Sequence, residues 1–262
     1  QPEFASSGGA GKFLDFFRDE LIPYIEKNYR AAPFRILDGH SFGGVFALKV
    51  LLETPDLFQA YVAISPSLWW DDGVMLRSTR PIGQHGQYLF VSVCNEGGLH
   101  RRRIDEFVGQ LQARAAPGFA WHFKAFDDES HGSVPHATLY EALHFVFKGW
   151  SLPDRPLEAE PVSYAEAAAH YRALSQRFGY EIPLPFTAIE YVAEEFAWRH
   201  RWADAIAAYQ NAIVLYPTAS GAYSGLARSY ERTGDKVSAI KNYEKALELS
   251  PKSSAIKSRW KN

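Results

Sequence analysis

Cysteine is nearly absent from this chain, which has one among 262 residues. A single cysteine cannot form a disulfide within the chain and cannot supply a cysteine-based zinc set. The one that is present, Cys94, lies in an apolar run at 89–94. A small, apolar side chain in such a run is typical of a buried strand residue, so we predict a structural Cys94 and no reactive thiol.

Net charge and long apolar runs are also lacking. A net charge of -2 provides no general field for nucleic acid or for an anionic membrane. No apolar stretch approaches the roughly 20 residues of a spanning helix. We therefore expect neither a nucleic-acid partner nor a membrane span. The chain begins at Gln1 without an initiator methionine or a signal-peptide pattern, so localisation stays open, and we expect a longer protein.

Apolar, β-rich runs alternate with helical patterns over the first 150 residues. The runs lie at 34–38, 60–65, 87–94 and 119–126, and the helical patterns at 12–29, 44–53, 101–115 and 136–147. This alternation predicts an α/β fold with a mostly parallel sheet flanked by helices. Three prolines follow within 151–161, which marks a linker at 151–162. The predicted domains are therefore a catalytic domain at 1–150 and an all-α domain at 163–262.

The all-α part has a 34-residue period. Six residues of one unit recur in the next at a fixed offset: Ala205, Ile206, Tyr209, Ala212, Leu215 and Pro217 match Ala239, Ile240, Tyr243, Ala246, Leu249 and Pro251. The pattern resembles the tetratricopeptide repeat, in two copies over about 186–251. Two units are few for a free-standing solenoid. We expect them to pack on the catalytic domain or to mediate self-association, and a groove for a protein partner is the alternative.

The segment GHSFGG at 39–44 stands between a predicted strand and a predicted helix. A G-x-S-x-G sequence in this context is typical of a sharp turn that exposes a serine hydroxyl above the sheet. Ser41 is therefore the candidate nucleophile, and the backbone N–H of Phe42 is a candidate oxyanion-hole donor. The structural alternative is an ordinary tight strand-to-helix turn.

A nucleophilic serine needs a base, which in turn needs an orienting acid. His131 follows the last predicted strand and precedes a helix, where the base of such a sheet is expected. Four other histidines fit structural roles: His40, His122, His136 and His144.

The candidate acid is Glu96, just after the third predicted strand. Asp105 and Asp127 are the rivals, with a helix-face charge and a turn or cap as their structural roles. Trp69 and Trp70 follow the second predicted strand, at the edge where ligands bind in such sheets. They are candidates for substrate binding, and core packing is the alternative.

Three segments carry a family resemblance: 39–44, SPSLWWDDG at 65–73 and SHGS at 130–133. Together they resemble the Putative esterase family of esterase D-like α/β hydrolases, and in particular enterochelin-esterase-like hydrolases with a C-terminal tetratricopeptide tail. The resemblance implies a serine hydrolase that cleaves carboxylic esters of small molecules without metal or cofactor. It places catalytic roles on Ser41 and His131 and the acid on Glu96.

Three hypotheses of function remain: a carboxylesterase, a siderophore-lactone esterase of enterochelin type, and a catalytically silent protein that binds through its repeats. The ordered presence of Ser41, Glu96 and His131 argues against the third. The family also places several strands before the nucleophile turn, and one of their loops donates to the oxyanion hole. We therefore expect an N-terminal segment of roughly a hundred further residues that pairs beside strand 34–38.

Overall fold

The structure is a computed structural model that describes residues 8–83, 86–156 and 158–254. The chain folds into two compact units, Gln1–Lys148 and Gly149–Asn262. The predicted catalytic domain at 1–150, linker at 151–162 and helical domain at 163–262 stay a prediction.

A four-stranded parallel sheet forms the centre of the first unit. Its strands are β1 (Ile36–His40), β2 (Ala60–Ile64), β3 (Tyr88–Cys94) and β4 (Ala120–Phe126), in the order β1-β2-β3-β4. Gly39 pairs with Ala63 of β2, and Cys94 of β3 pairs with Phe126 of β4. Parallel pairing brings the carboxyl ends of all four strands to one edge, where side chains from separate loops meet.

Helices cover both faces of this sheet. The first, α1 (Ala10–Phe16), continues through a π-helical turn at Phe17–Leu21 into α2 (Ile22–Asn28). The others are α3 (Phe42–Glu53), α4 (Gly98–Arg114) and α5 (Val134–Val146). The sheet separates two hydrophobic cores, and successive residues of a strand point alternately into one core and the other. Tyr61 and Val91 pack in the core with α3 and α4, whereas Val62 and Phe90 pack in the core with α5.

Strand β2 is buried along its whole length, as expected of a strand covered on both faces. Among the described residues, β1 and β4 are the two edges of the sheet. The expected pairing of a further segment beside β1 stays a prediction. Cys94 is fully buried on β3, which confirms the buried strand position predicted for it.

The second unit is helical. Its helices are α6 (Tyr164–Phe178), α7 (Phe186–Trp198), α8 (Trp202–Leu215), α9 (Ser220–Thr233) and α10 (Lys236–Leu249). A capping box between Ser163 and Glu166 begins α6 immediately after the proline-rich segment. The pairs α7/α8 and α9/α10 occupy the two repeats predicted from the 34-residue period. Within the described part of the chain, no helix combines the length and apolar character needed to cross a membrane.

Candidate active site

Ser41 occupies a strained turn between β1 and α3. Its φ of 59° and ψ of -115° lie in a region that residues with a side chain rarely adopt. A Cβ on Gly39 would lie 2.1 Å from the carbonyl oxygen of Gly43, so the backbone closes this turn only with glycine at position 39. A Cβ on Gly43, in contrast, would meet nothing within 4 Å. The strand–turn–helix context predicted from the sequence is therefore present. Of the two glycines in the G-x-S-x-G motif, the turn requires Gly39 and not Gly43.

Phe42 begins α3, so its backbone N–H lies beside Ser41 at the positive end of the helix dipole. That position suits the oxyanion-hole role predicted for it. The Phe42 ring is 44% exposed and meets both tryptophan rings, with centroids 5.8 Å away for Trp69 and 6.5 Å away for Trp70. Both tryptophans are half-buried. An aromatic wall therefore stands next to the nucleophile turn.

Glu96 and His131 meet across the carboxyl ends of β3 and β4. Oε1 of Glu96 lies 2.9 Å from Nδ1 of His131, and the side chains are 25% and 39% exposed. Among the described residues this Nδ1 is buried without an aligned hydrogen bond, so the contact is an ion-pair approach. The backbone N–H of Asn95 donates to the carbonyl of Glu129 at 3.0 Å and ties the two loops together.

The two rival acids lie elsewhere. Asp105 projects from α4 into solvent and is held by Arg101 at 2.9 Å. Asp127 is exposed in the turn after β4. Of the three candidates, the structure brings Glu96 to the base.

The second oxygen of Glu96 is held by its own set of neighbours. Oε2 accepts hydrogen bonds from the Ser65 hydroxyl and from the Cys94 thiol, each at 3.0 Å. Burial by itself raises the pKa of the Glu96 carboxyl. The two hydrogen bonds and two histidine rings act in the opposite direction, and together they bring this pKa below its ordinary value. Glu96 is therefore a carboxylate at neutral pH, as an orienting acid must be.

The Ser41 hydroxyl lies 3.0 Å from the hydroxyl of Ser67. Within the described residues no hydrogen bond joins it to His131. In substrate-free sites the bond between nucleophile and base is often long, and it tightens in the reacting complex. The loops after β1 and β2 are closely joined, because the backbone N–H of Ser67 donates to the carbonyl of Ser41 at 3.1 Å.

Sequence reasoning missed two histidines of the site. The ring of His40, assigned to a structural role, lies against that of His131 with centroids 4.3 Å apart. Burial, and then the neighbouring His131, lower the pKa of His40. His100, on the first turn of α4, contacts Glu96 through Nε2 at 3.0 Å. Its place four residues after Glu96 at a helix start was the available signal.

The three remaining histidines that the sequence offered as bases are all exposed. His122 is an exposed residue of β4, and His136 and His144 are exposed residues of α5. The structural roles predicted for them stay predictions.

Three of the site's side chains also offer metal-ligand atoms. Those of Cys94, Glu96 and His131 lie within 4.8 Å of one another. Burial, followed by the hydrogen bond to Glu96, raises the pKa of the Cys94 thiol to about 11. Metals bind the thiolate, so a protonated thiol that donates to Glu96 fits an acid-anchoring role better than a metal site.

Comparison with known proteins finds matches in both units of the chain. Residues 3–98 match the Putative esterase family, a segment that includes Ser41 and Glu96. Residues 220–253 match the tetratricopeptide repeat.

A ferri-bacillibactin esterase of Bacillus subtilis is 33% identical over 166 residues, which cover 59% of this chain and 56% of that protein. A siderophore enterobactin esterase of Emericella nidulans is 39% identical over 82 residues, 30% of this chain and 27% of that protein. The chain thus spans just over half the length of the first relative and about a quarter of the second.

A solved structure shows the same fold. The IroE-like serine hydrolase of Shewanella oneidensis superposes with a TM-score of 0.61 at 23% identity, over 95% of this chain and 70% of that one. The α/β-hydrolase-type architecture predicted from the sequence is therefore confirmed. Residues 3–98 are thus similar to the Putative esterase family and lie in a unit with a parallel sheet of α/β-hydrolase type, and residues 220–253 are similar to the tetratricopeptide repeat.

Proposed function

We propose that this chain carries the catalytic site of a serine hydrolase that cleaves carboxylic esters of small molecules. The observation that carries the proposal is the strained Ser41 turn at the same sheet edge as the contact between Glu96 and His131. A positive φ at a residue with a side chain costs about 1–3 kcal/mol and is concentrated at functional sites. A silent binding protein would not need this strain or the paired acid and base.

The chemistry follows from the positions of the atoms. The Ser41 oxygen attacks the ester carbonyl, and its proton passes to Nε2 of His131, since Nδ1 faces Glu96. The backbone N–H of Phe42 stabilises the oxyanion, and the carboxylate of Glu96 stabilises the imidazolium. His131 then protonates the leaving alcohol, and water attacks the resulting acyl-serine with His131 as the base. No metal or cofactor is required by these steps.

A siderophore lactone is the second candidate substrate. Two relatives over the matched region are named as a ferri-bacillibactin esterase and a siderophore enterobactin esterase. The aromatic wall of Phe42, Trp69 and Trp70 next to the nucleophile turn suits an aromatic acyl group, because flat rings pack well against such side chains. We therefore propose that Trp69 and Trp70 contact the substrate.

Substitution of Ser41 tests the proposal. p-Nitrophenyl esters of increasing chain length and a catecholate trilactone are assayed with the parent protein and with Ser41→Ala. Loss of a catalytic serine lowers the rate by roughly 10⁴ or more. Near-normal hydrolysis by a folded Ser41→Ala protein would refute the assignment. Preference for the trilactone over the acyl series would identify the siderophore substrate class.

For the repeat unit we propose a role in self-association or in binding a protein partner. Its described part has a cavity of about 950 Å³ with both acidic and basic side chains and exposed aromatic rings in its lining, including Trp198, which is 64% exposed. Exposed aromatic and arginine side chains are typical of protein interfaces. Light scattering over a concentration series tests self-association directly.

A further inference from the structure

Two histidines contact Glu96, one on each carboxylate oxygen. His131 approaches Oε1 through Nδ1 at 2.9 Å, and His100 approaches Oε2 through Nε2 at 3.0 Å. His131 serves as the base in the proposed reaction, so its contact is accounted for. The contact of His100 with Glu96 has no role in that reaction. The His100 side chain is nevertheless largely buried, with only 13% of its surface exposed.

Trp69 determines which nitrogen of His100 carries the proton. The indole Nε1 of Trp69 donates to Nδ1 of His100 at 3.1 Å. An indole N–H can only donate, so Nδ1 must be the unprotonated nitrogen. In the neutral ring the proton is then on Nε2, the atom that faces Glu96.

The surroundings of His100 favour this neutral form. Burial lowers the pKa of the ring, and the neighbouring His131 acts in the same direction. The carboxylate of Glu96 and the backbone carbonyl of Ser65 raise the pKa of His100, but the net effect is a pKa below the ordinary value. A second proton on His100 would also confront the Trp69 N–H with another donor.

The neighbours of Glu96 are divided between its two oxygens. Oε2 receives the Ser65 hydroxyl, the Cys94 thiol and the approach of His100, whereas Oε1 faces His131. A carboxylate held at one oxygen cannot rotate freely, so the other oxygen keeps its direction. Such supporting contacts fix the orientation of a catalytic group.

We propose that His100 is a positioning residue, which holds Oε2 of Glu96 through its Nε2–H so that Oε1 remains directed at His131. Trp69 is the partner that sets the His100 tautomer. This inference rests on the proposed ester hydrolysis, in which Glu96 is the orienting acid. The approach of His100 is not an aligned hydrogen bond, and we expect it to tighten as charge develops on His131.

Two substitutions of His100 separate positioning from packing. His100→Phe keeps a flat ring of similar size and removes the donor, and we expect kcat to fall about tenfold with KM within about twofold, since a bond to a charged group is lost. His100→Gln places a side-chain N–H near the position of Nε2, and we expect it to stay within about threefold of the parent kcat. His144→Phe makes the same change at an exposed histidine of α5 that contacts Tyr140, and its kcat should be unchanged.

The outcomes distinguish the inference from the proposed function. Equal losses in His100→Phe and His100→Gln would show that His100 acts through packing alone, and a parent-like kcat in His100→Phe would also overturn the inference. A folded parent protein without any hydrolysis would instead refute the proposed function.

Ring ¹⁵N chemical shifts test the tautomer without activity. We expect a protonated Nε2 and an unprotonated Nδ1 on His100 in the parent protein, with that preference lost in Trp69→Phe. A protonated Nδ1 in the parent protein would refute the inference even if the protein hydrolysed no ester.

Discussion

Nδ1 of His131 lies 2.9 Å from Oε1 of Glu96, and this contact joins the loops that follow β3 and β4. The two strands are adjacent and pair in parallel up to Cys94 and Phe126. The chain needs only two more residues beyond Cys94 to present Glu96 and five beyond Phe126 to present His131. Strand pairing therefore brings acid and base together from distant parts of the sequence.

Glu96→Gln tests the identity of the acid. The carboxylate interacts most strongly with the imidazolium that forms in the transition state, so we expect kcat to fall about tenfold or more with little change in KM. Steady-state kinetics on a p-nitrophenyl ester measures both constants. Asp105→Asn is the matched control, since that carboxylate is exposed and paired with Arg101. A loss below about threefold in Glu96→Gln would favour Asp105, Asp127 or a Ser–His dyad.

The lowered pKa of Glu96 predicts a pH-dependent stability. In the unfolded chain the carboxyl regains its ordinary pKa near 4.5, so its contribution is complete above that pH and is lost as the pH falls through the lower folded pKa. The unfolding free energy of the parent protein should therefore decrease on acidification more than that of Glu96→Gln. Urea unfolding of both proteins between pH 7 and about pH 3 measures the difference. Parallel curves for the two proteins would contradict this prediction.

The nucleophile turn predicts different tolerance at its two glycines. Gly39→Ala places a methyl group 2.1 Å from a backbone oxygen, and we expect a loss of about 3 kcal/mol or more in unfolding free energy, because backbone cannot move aside cheaply. Gly43→Ala meets nothing within 4 Å and lies within α3, so it should be neutral or slightly stabilising. Thermal or urea unfolding compares the two variants. Equal stability would mean that the turn relaxes freely.

The repeat region should not contribute catalytic groups. We expect a chain that ends before Ser163 to retain hydrolysis at Ser41, because the repeats have no combination of nucleophile, base and acid, and helix packing accounts for their periodicity. The measurement is kcat/KM of the purified truncated protein, with its own Ser41→Ala variant as the background. Its oligomeric state or solubility should change. Complete loss of hydrolysis by a folded truncated chain would contradict the prediction.

Close packing of α8 against α9 predicts a sensitive glycine in the repeats. A Cβ on Gly225 would lie 2.2 Å from Cζ of Tyr209, whose side chain is 1% exposed. Gly225→Ala should destabilise this unit by about 1–2 kcal/mol, since overpacking exceeds the gain in helix propensity. Gly221→Ala on the same helix meets only the ends of the Glu190 and Phe186 side chains, at 3.2 Å each, and should cost less. Circular dichroism during thermal unfolding tests the order of the two variants.

Several parts of this structure could be predicted from local sequence. The four strands, the repeat helices and the turn at Ser41 each depend on short-range patterns of apolar residues and glycine. The predicted ends of these elements differ from the observed ones by a few residues. The run at 34–38 becomes a strand at Ile36–His40, because pairing with β2 sets the register. The pattern at 101–115 becomes a helix that begins at Gly98, which places His100 on its first turn next to Glu96.

The sequence by itself determined that Ser41 stands in a strained turn, because the lack of a side chain at Gly39 is what lets that turn close. It also determined the paired helices of the repeats, because the 34-residue period specifies which small and large residues interlock. Only the tertiary structure decided which acidic side chain meets His131, and that His40 and His100 surround the pair. The contacts of His131 with Glu96 and with His40 depend on the order and register of β1, β3 and β4, which bring together groups far apart in the chain and have no signature in local spacing. The place of His100 four residues after Glu96 is the exception, because that spacing can be read from the sequence.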